Sequence, residues 1–295
     1  MAPLEEIFCL IDDFCKYFEQ TIAKYLLPNP NRKRNKPCAL SLSEIMTILI
    51  LFQLSNYRTF KNFYQVLPLH YKGAFPKLVS YNRFLELMPH AAMPLMALLI
   101  KLPGEKTGKY IIDSTKLEVC HNLRINRHKV FQGIAQRGKT STGWFFGFKL
   151  HIVINNKGEL MNFQLTPGNT DDRAVVEKLM QGLHGWLCGD KGYIGQKLSQ
   201  TLADKGIELI TNLRKGMKKQ FLEPIKKYWL SKRRIVETVI GQLKNILHIQ
   251  HTRHRSAANF FTNTIAALVA YTLKPNKPSV SFQKHLQLKT GLMSS

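Results

Sequence analysis

The chain has 295 residues, with 43 Lys and Arg against 19 Asp and Glu, for a net charge of +24. Hydrophobic residues make up 44% of it, including 17 Phe and 10 Tyr, so it can bury a core and is not a disordered basic tail. A globular protein this basic favours a polyanion, because Lys and Arg that neutralise phosphates release condensed counterions; nucleic acid is the first expectation and an anionic membrane surface the second.

Residues 1–27 read as a helix, with Ile7, Leu10, Ile11, Phe14 and Phe18 at helical spacing. Glu5, Glu6, Asp12 and Asp13 are the wrong charge for a secretory signal. Pro28, Pro30 and Pro37 bracket a basic segment, Asn31 to Lys36, read as a linker or a DNA-backbone arm. Ser41 and Glu44 form a capping box that opens a helix through about Gln53. Two further helices are expected at 56–64 and 80–88; helix-turn-helix and plain bundle are both compatible with them. Ile45–Leu54 and Ala91–Ile100 are the longest apolar runs, too short for the roughly 18 residues of a membrane span, and Pro94 interrupts the second. Cys9, Cys15, Cys38, Cys120 and Cys188 are scattered and never spaced C-x-x-C, which points to a reduced, cytoplasmic chain without a zinc ribbon.

The pattern changes near residue 108. Tyr110–Val119 reads as a strand, followed by a Gly-, Arg- and Lys-rich loop over 120–142. Trp144, Phe146, Phe148, Leu150, Ile152 and Ile154 alternate as a second strand, and Leu160–Leu165 is its hairpin partner. Then come a helix over about 172–182, a strand at Trp186–Cys188, a helix over 195–205 and a strand at Ile207–Thr211. A long helix over Ser231–Ile249 and an apolar helix over Asn259–Leu273 follow. Three meandering strands followed by alternating helix and strand is the layout of an RNase H-like α/β core, a mixed sheet flanked by helices. The expected domains are 1–104, all-helical and DNA-binding; 105–273, catalytic; and 274–295, a flexible tail.

The charge is concentrated in two blocks. Between Glu118 and Glu159 no carboxylate interrupts Arg124, Arg127, Lys129, Arg137, Lys139, Lys149 and Lys157. From Arg214 to Arg255 there are twelve basic residues and two acids. Two acid-poor blocks suggest a phosphate-binding groove, with a solvated face as the plainer alternative.

Three carboxylates stand out. Asp113 lies inside the apolar strand Tyr110-Ile111-Ile112-Asp113-Ser114, where a charge costs several kcal/mol unless paired or metal-bound. Asp190 follows a short strand, in Cys188-Gly189-Asp190-Lys191-Gly192-Tyr193, where flanking glycines let a ligand approach closely. Glu237 shares a helix face with Arg233, Gly241 and Lys244. Turn-capping for each Asp and an Arg–Glu surface pair for Glu237 are the plainer alternatives. Together, three hard oxygen ligands suit Mg²⁺ or Mn²⁺; two such ions about 3.5–4 Å apart activate a nucleophile and stabilise a leaving oxygen in phosphoryl chemistry. Arg233, Lys244, Arg124, Arg127, Arg137, Lys149 and Lys191 are the expected DNA contacts. Asp171 or Asp172 is expected to cap the helix that follows. His248, His251 and His254, set among arginines, read as surface or DNA contacts sooner than as zinc ligands. Trp144, beside the basic loop, is either core or a base-stacking residue.

With these segments the chain resembles a bacterial insertion-sequence transposase of the DDE class, and most resembles the nine-eighty-two family of insertion sequences. The resemblance rests on Ile112-Asp113-Ser114, on Gly189-Asp190-Lys191-Gly192-Tyr193 and on Arg233-x3-Glu237-x6-Lys244. It rests also on Pro167 to Asp172 and on Gly143 to His151, and spans about residues 105–273. Members often carry a Tyr three residues before the Arg; here that position is Leu230, with Tyr228 nearby. The resemblance implies binding of terminal inverted repeats in double-stranded DNA, end cleavage and joining of 3′ ends to target DNA. It also implies a homodimer or larger assembly in the bacterial cytoplasm at the nucleoid. A metal-dependent nuclease that cuts without joining, or an inactive DNA-binding copy, are the other readings. Replacing Arg124, Arg127 and Arg137 together with Ala is expected to weaken DNA binding and to flatten the plot of log affinity against log salt; a fluorescence titration across salt concentrations measures that slope.

Overall fold

The computed structural model describes residues 4–23, 38–71, 73–213, 216–217, 222–250 and 254–280. The basic segment 31–36 lies outside the described residues, as do Arg214, Lys215, Lys218, Lys219, His251, Arg253 and the tail from 281. The chain divides into two compact units, 1–102 with 243–275, and 103–242 with 276–295.

The first unit contains α1 (Leu4–Ala23), α2 (Leu42–Leu54), α3 (Phe60–His70), α4 (Tyr81–Leu87), α5 (Ala92–Lys101) and, from the far end of the chain, α10 (Ala257–Leu273). Ser41 and Glu44 close the expected capping box of α2. Ser43 and every residue from Ile45 to Gln53 of α2 are buried, which makes it a central helix. α10 packs against α2 and α5, and a buried hydrogen bond of 2.7 Å runs from Gln53 Nε2 to Asn263 Oδ1. α10, expected as the last element of the catalytic domain, therefore groups with the helical unit. Its buried residues run on nearly all sides from Asn259 to Tyr271, and the helices α2 and α5 enclose them.

α3 starts later than expected, capped by Thr59, and the connection from α3 to α4, residues 71–80, exceeds the roughly three- to four-residue turn of a helix-turn-helix. With a single 3₁₀ turn at Met88–Ala91, α4 and α5 form one helical stretch, Tyr81–Lys101. This stretch, 21 residues with mean hydropathy 1.3 in its most apolar window, is long and apolar enough to cross a membrane, contrary to the sequence expectation. Its Phe84, Leu87, Leu95, Leu98 and Leu99 are buried within the unit.

The second unit is α/β. Its strands are β1 (Lys109–Cys120), β2 (Gln136–Thr140), β3 (Gly143–Asn155), β4 (Leu160–Pro167), β5 (Gly185–Gly189) and β6 (Ile207–Thr211). They lie in the order β2-β3-β1-β5-β6, with β4 pairing the far half of β3. β1, β3 and β4 form an antiparallel meander, and β5 and β6 extend it in parallel with β1. β2 falls inside the segment read as a loop. Gln-Arg-Gly-Lys-Thr carries no apolar alternation, and its pairing with β3 is what makes it a strand.

Helices cover both faces. Tyr110, Ile112, Val153 and Leu187 pack with Val176 and Leu179 of α6 (Val176–Leu179) and Leu202 of α7 (Gln196–Ala203). On the other face lie α8 (Pro224–Ser231) and α9 (Ile235–Gly241), joined by a 3₁₀ turn at Lys232–Arg234. The expected single helix 231–249 is thus a helical run from Pro224 that changes hydrogen-bond register three times, ending in a π segment at Gln242–Ile246. After α10 the chain returns to this unit, where Val280 N–H donates to the Asn156 carbonyl at 2.8 Å.

Gly147 of β3 lies where β1 bulges, between Glu118 and Cys120. A methyl group on Gly147 would penetrate the Leu117 carbonyl oxygen, a backbone atom that cannot swing aside. Gly147→Ala is expected to destabilise the protein by about 2 kcal/mol or more, measured as a lower midpoint in urea unfolding.

Candidate active site

The site grows out of one pairing. β1 and β5 run parallel, with Tyr110 opposite Leu187 and Ile111 opposite Cys188. Continuing that register by two residues sets Asp113 level with Asp190. Adjacent strands lie about 4.8 Å apart, and residues two apart share a face. β5 ends at Gly189, so Asp190 stands just past its carboxyl end, while β1 continues to Cys120. The chain has wound to one side of β1 through β3 and to the other through β5. Crevices open at such switch points of α/β sheets.

The face is set by alternation. Tyr110 and Ile112 point into the α6–α7 core, so Ile111 and Asp113 point to the face covered by α8 and α9. α9 packs on β1 and carries Glu237 in its first turn. Arg233, in the 3₁₀ turn before it, reaches between two acids. Its Nη2 lies 3.5 Å from Asp190 Oδ1 and 3.9 Å from Glu237 Oε1. Only 17% of the Arg233 side chain is exposed, against 53% for Asp190 and 49% for Glu237.

Asp113 is the deepest of the three acids. Burial raises its pKa to about 6; the Ser114 N–H and Arg233 oppose the rise, and Asp190 and Glu237 add to it. Its Oδ1 accepts the Ser114 N–H at 2.8 Å. The three acids therefore share one electrostatic neighbourhood with Arg233 at its centre. Arg233, expected as a DNA contact, meets two of the acids themselves.

Their donor chemistry, three hard carboxylates, fits a divalent cation such as Mg²⁺ or Mn²⁺. Their spacing does not: among the described residues no three His, Cys, Asp or Glu side chains stand close enough together to hold one ion.

The other expected contacts fall into three groups. Arg124, Arg127 and Arg137 are exposed, in the 3₁₀ segment Asn122–Arg127 and in β2, and Lys191 is exposed beside Asp190. Lys244 lies in the π segment and belongs to the first unit. A π turn holds more residues than an α turn, so the α-helical count that set Lys244 on the face of Glu237 does not carry through it. Lys149 is turned inward and is 12% exposed. Its Nζ donates to Asp172 Oδ1 and to the Thr170 carbonyl, each at 2.9 Å, so it is an internal cation and not a phosphate contact.

That pair belongs to a network the sequence did not reveal. Asp172 Oδ2 accepts from Ser114 Oγ at 3.0 Å, which ties it to the residue beside Asp113. His151, opposite Ser114 in the β1–β3 register, lies 3.8 Å from Asp172 Oδ1 and shares a 2.9 Å hydrogen bond with Thr166. Burial lowers its pKa to about 4 despite the Asp172 charge, so it is neutral at pH 7. Lys149, His151 and Asp172 at 149, 151 and 172 are too far apart in sequence to be grouped without the strand register. Asp171 takes the expected cap, accepting the Arg173 N–H, and its pairing with the Arg173 side chain lowers its pKa to about 2.

A Cβ on Gly189 would crowd Tyr193 at 3.1 Å and Ile112 at 3.3 Å, so its bareness serves core packing. No atom outside its own helix and chain neighbours lies within 4 Å of a Cβ on Gly241 among the described residues, so no close backbone approach accounts for it. His254 packs edge-on against Phe260, and burial lowers its pKa to about 4, which removes it from the exposed histidine ladder.

A family model described as a transposase DDE domain matches residues 103–257, more than half of the chain and nearly all the second unit described above. The chain belongs to the DDE transposase family. Members act in DNA transposition and recombination, and the family implies use of a divalent metal. Among solved structures, this transposase is similar to the piggyBac transposase synaptic complex with hairpin DNA, with 11% identity, a TM-score of 0.45, and coverage of 99% of this chain and 77% of that one. It is also similar to the Mos1 strand transfer complex, with 13% identity, a TM-score of 0.24, and coverage of 81% and 85%. No curated protein matches the sequence.

In this DDE transposase, Asp172→Ala would leave the Lys149 ammonium without its carboxylate in a mostly enclosed position. The expected cost is about 2 kcal/mol, and most of it returns when Lys149→Met is added, because the pair is then removed together. Chemical denaturation of the two single variants and the double variant measures both effects.

Proposed function

We propose that this protein is an insertion-sequence transposase of bacterial origin, of the nine-eighty-two type. It binds the terminal inverted repeats of its element as a homodimer or larger assembly, cleaves the ends and joins the 3′ ends to target DNA. The observation that carries the reading is the convergence of Asp113, Asp190 and Glu237 around Arg233 within the matched DDE domain. The strand order, an antiparallel meander extended in parallel on the other side of β1, supports an RNase H-like core.

Asp113, Asp190 and Glu237 supply the donor chemistry for Mg²⁺ or Mn²⁺, and would have to stand closer together than they do here to hold one ion. When bound, such cations supply Lewis-acid stabilisation of the attacking and leaving oxygens of a phosphodiester. The chain itself contributes position and charge. β1 fixes Asp113 in a half-buried place, where its carboxylate is poorly solvated and favours a cationic partner. Asp190 and Glu237, half exposed, remain open to solvent and substrate. Arg233 keeps the two acids from repelling one another. Arg124, Arg127, Arg137 and Lys191 supply positive charge on the surface of the same unit, which favours the phosphate backbone. The helices of residues 1–104 are assigned to reading the repeats.

The test is an excision-and-insertion assay with the gene's own flanking DNA around a marker, in Mg²⁺ or Mn²⁺. Wild type is expected to join the ends into target DNA. Glu237→Gln is expected to bind the ends as wild type does and to lose cleavage. Cutting without joining would assign a nuclease instead. Joint loss of binding and cleavage in the variant would make Glu237 a structural residue.

A further inference from the structure

We infer that the tip of the β2–β3 hairpin is a binding site for an unpaired DNA base, with Trp144 as the stacking surface. The inference rests on the reading of this chain as a DNA-processing enzyme and adds a site separate from the three carboxylates.

β3 is buried or half-buried along its length except at one residue, Trp144, whose exposure is 61%. The chain's other tryptophans are unlike it: Trp229 is buried and Trp186 half-buried. Trp144 is held firmly in its exposed place. Its backbone pairs with Lys139 across the hairpin, and its carbonyl accepts from Asn122 Nδ2 at 2.9 Å. The Lys139 ammonium lies over the indole, 5.6 Å from a ring centroid. Arg124, Arg127 and Arg137 are exposed on the same 3₁₀ segment and hairpin, and no carboxylate occurs between Glu118 and Glu159.

The chemistry of this surface selects its ligand. The cations favour phosphate, but an indole carries no charge for a phosphate to meet. What it offers is a flat π face, which a nucleobase can cover. A base inside a duplex has both faces covered by its neighbours, so only a base outside the stack can use the indole. Lys139 occupies one side of the ring and is placed to meet the phosphate of the nucleotide whose base lies on the other. The ligand is therefore a single-stranded, frayed or extruded nucleotide at a DNA end, and not the continuous duplex, which the arginines would hold by its backbone.

The experiment compares a blunt duplex with the same duplex carrying a short single-stranded 3′ overhang, bound to the full-length protein without divalent metal. Wild type is expected to prefer the overhang by about tenfold and to show quenched tryptophan emission on binding it. Trp144→Phe is expected to keep most of the preference, since a ring remains, and to lose the quenching. Trp144→Ala is expected to lose the preference and to bind the blunt duplex as wild type does. Equal binding of both duplexes by wild type, or a preference that survives in Trp144→Ala, would overturn the proposal while leaving the transposase reading intact. Equal weakening on both duplexes in Trp144→Ala would overturn it too, by assigning Trp144 a structural or general role. Failure of wild type to bind either duplex would overturn both readings.

Discussion

The parallel pairing of β1 with β5 is the constraint on which the site depends. It is short, running from Lys109 to Ile111 on one strand and from Trp186 to Cys188 on the other. That length sets Asp113 and Asp190 level on one face and ends before them, with Asp190 just past the carboxyl end of β5. A register slip of one residue would turn Asp113 into the α6–α7 core and Ile112 out of it. Tyr110, Ile112 and Leu187 hold the register by filling that core, so the placement of two acids follows from the packing of apolar side chains on the opposite face.

Concentrating carboxylates has an electrostatic cost, and the chain offsets it by position. Asp113 is taken partly out of water and its pKa rises, while Asp190 and Glu237 remain half exposed. Arg233 stands between the outer two. Its placement follows from local backbone: the 3₁₀ turn at Lys232–Arg234 separates α8 from α9 and directs Arg233 inward, while its neighbour Arg234 is 83% exposed. On the opposite face, Asp172, Lys149, His151 and Thr166 form a second polar layer that reaches the active-site strand through Ser114. Metal and catalytic sites are commonly oriented by such outer contacts, and this one joins β1, β3 and the turn after β4 around one carboxylate.

One helical run crosses the division of the chain. The run from Pro224 to Ile246 serves the α/β unit as far as Gln242 and then passes into the helical unit. Its change to π hydrogen bonding falls at that passage. The helical unit is thus assembled from both ends of the chain, with α10 enclosed by α2 and α5, and the α/β unit receives the chain again at residues 276–280.

The amino-acid sequence by itself determined the three carboxylates, the alternating strand β3, the hairpin into β4, the capping box of α2 and the basic character of residues 124–139. Each of these is local: a period, a cap, a turn or a charge run is complete within a few residues. Tertiary structure alone decided which residues meet. It turned Lys149 inward to Asp172, made a strand of Gln136–Thr140, set Arg233 between Asp190 and Glu237, and moved α10 out of the catalytic unit. These outcomes depend on strand register, helix docking and burial, which couple residues tens of positions apart and leave no periodic mark in the sequence. The charge of Lys149 and that of Arg124 look alike along the chain; only the fold determines that one is enclosed against a half-buried acid and the other faces the solvent.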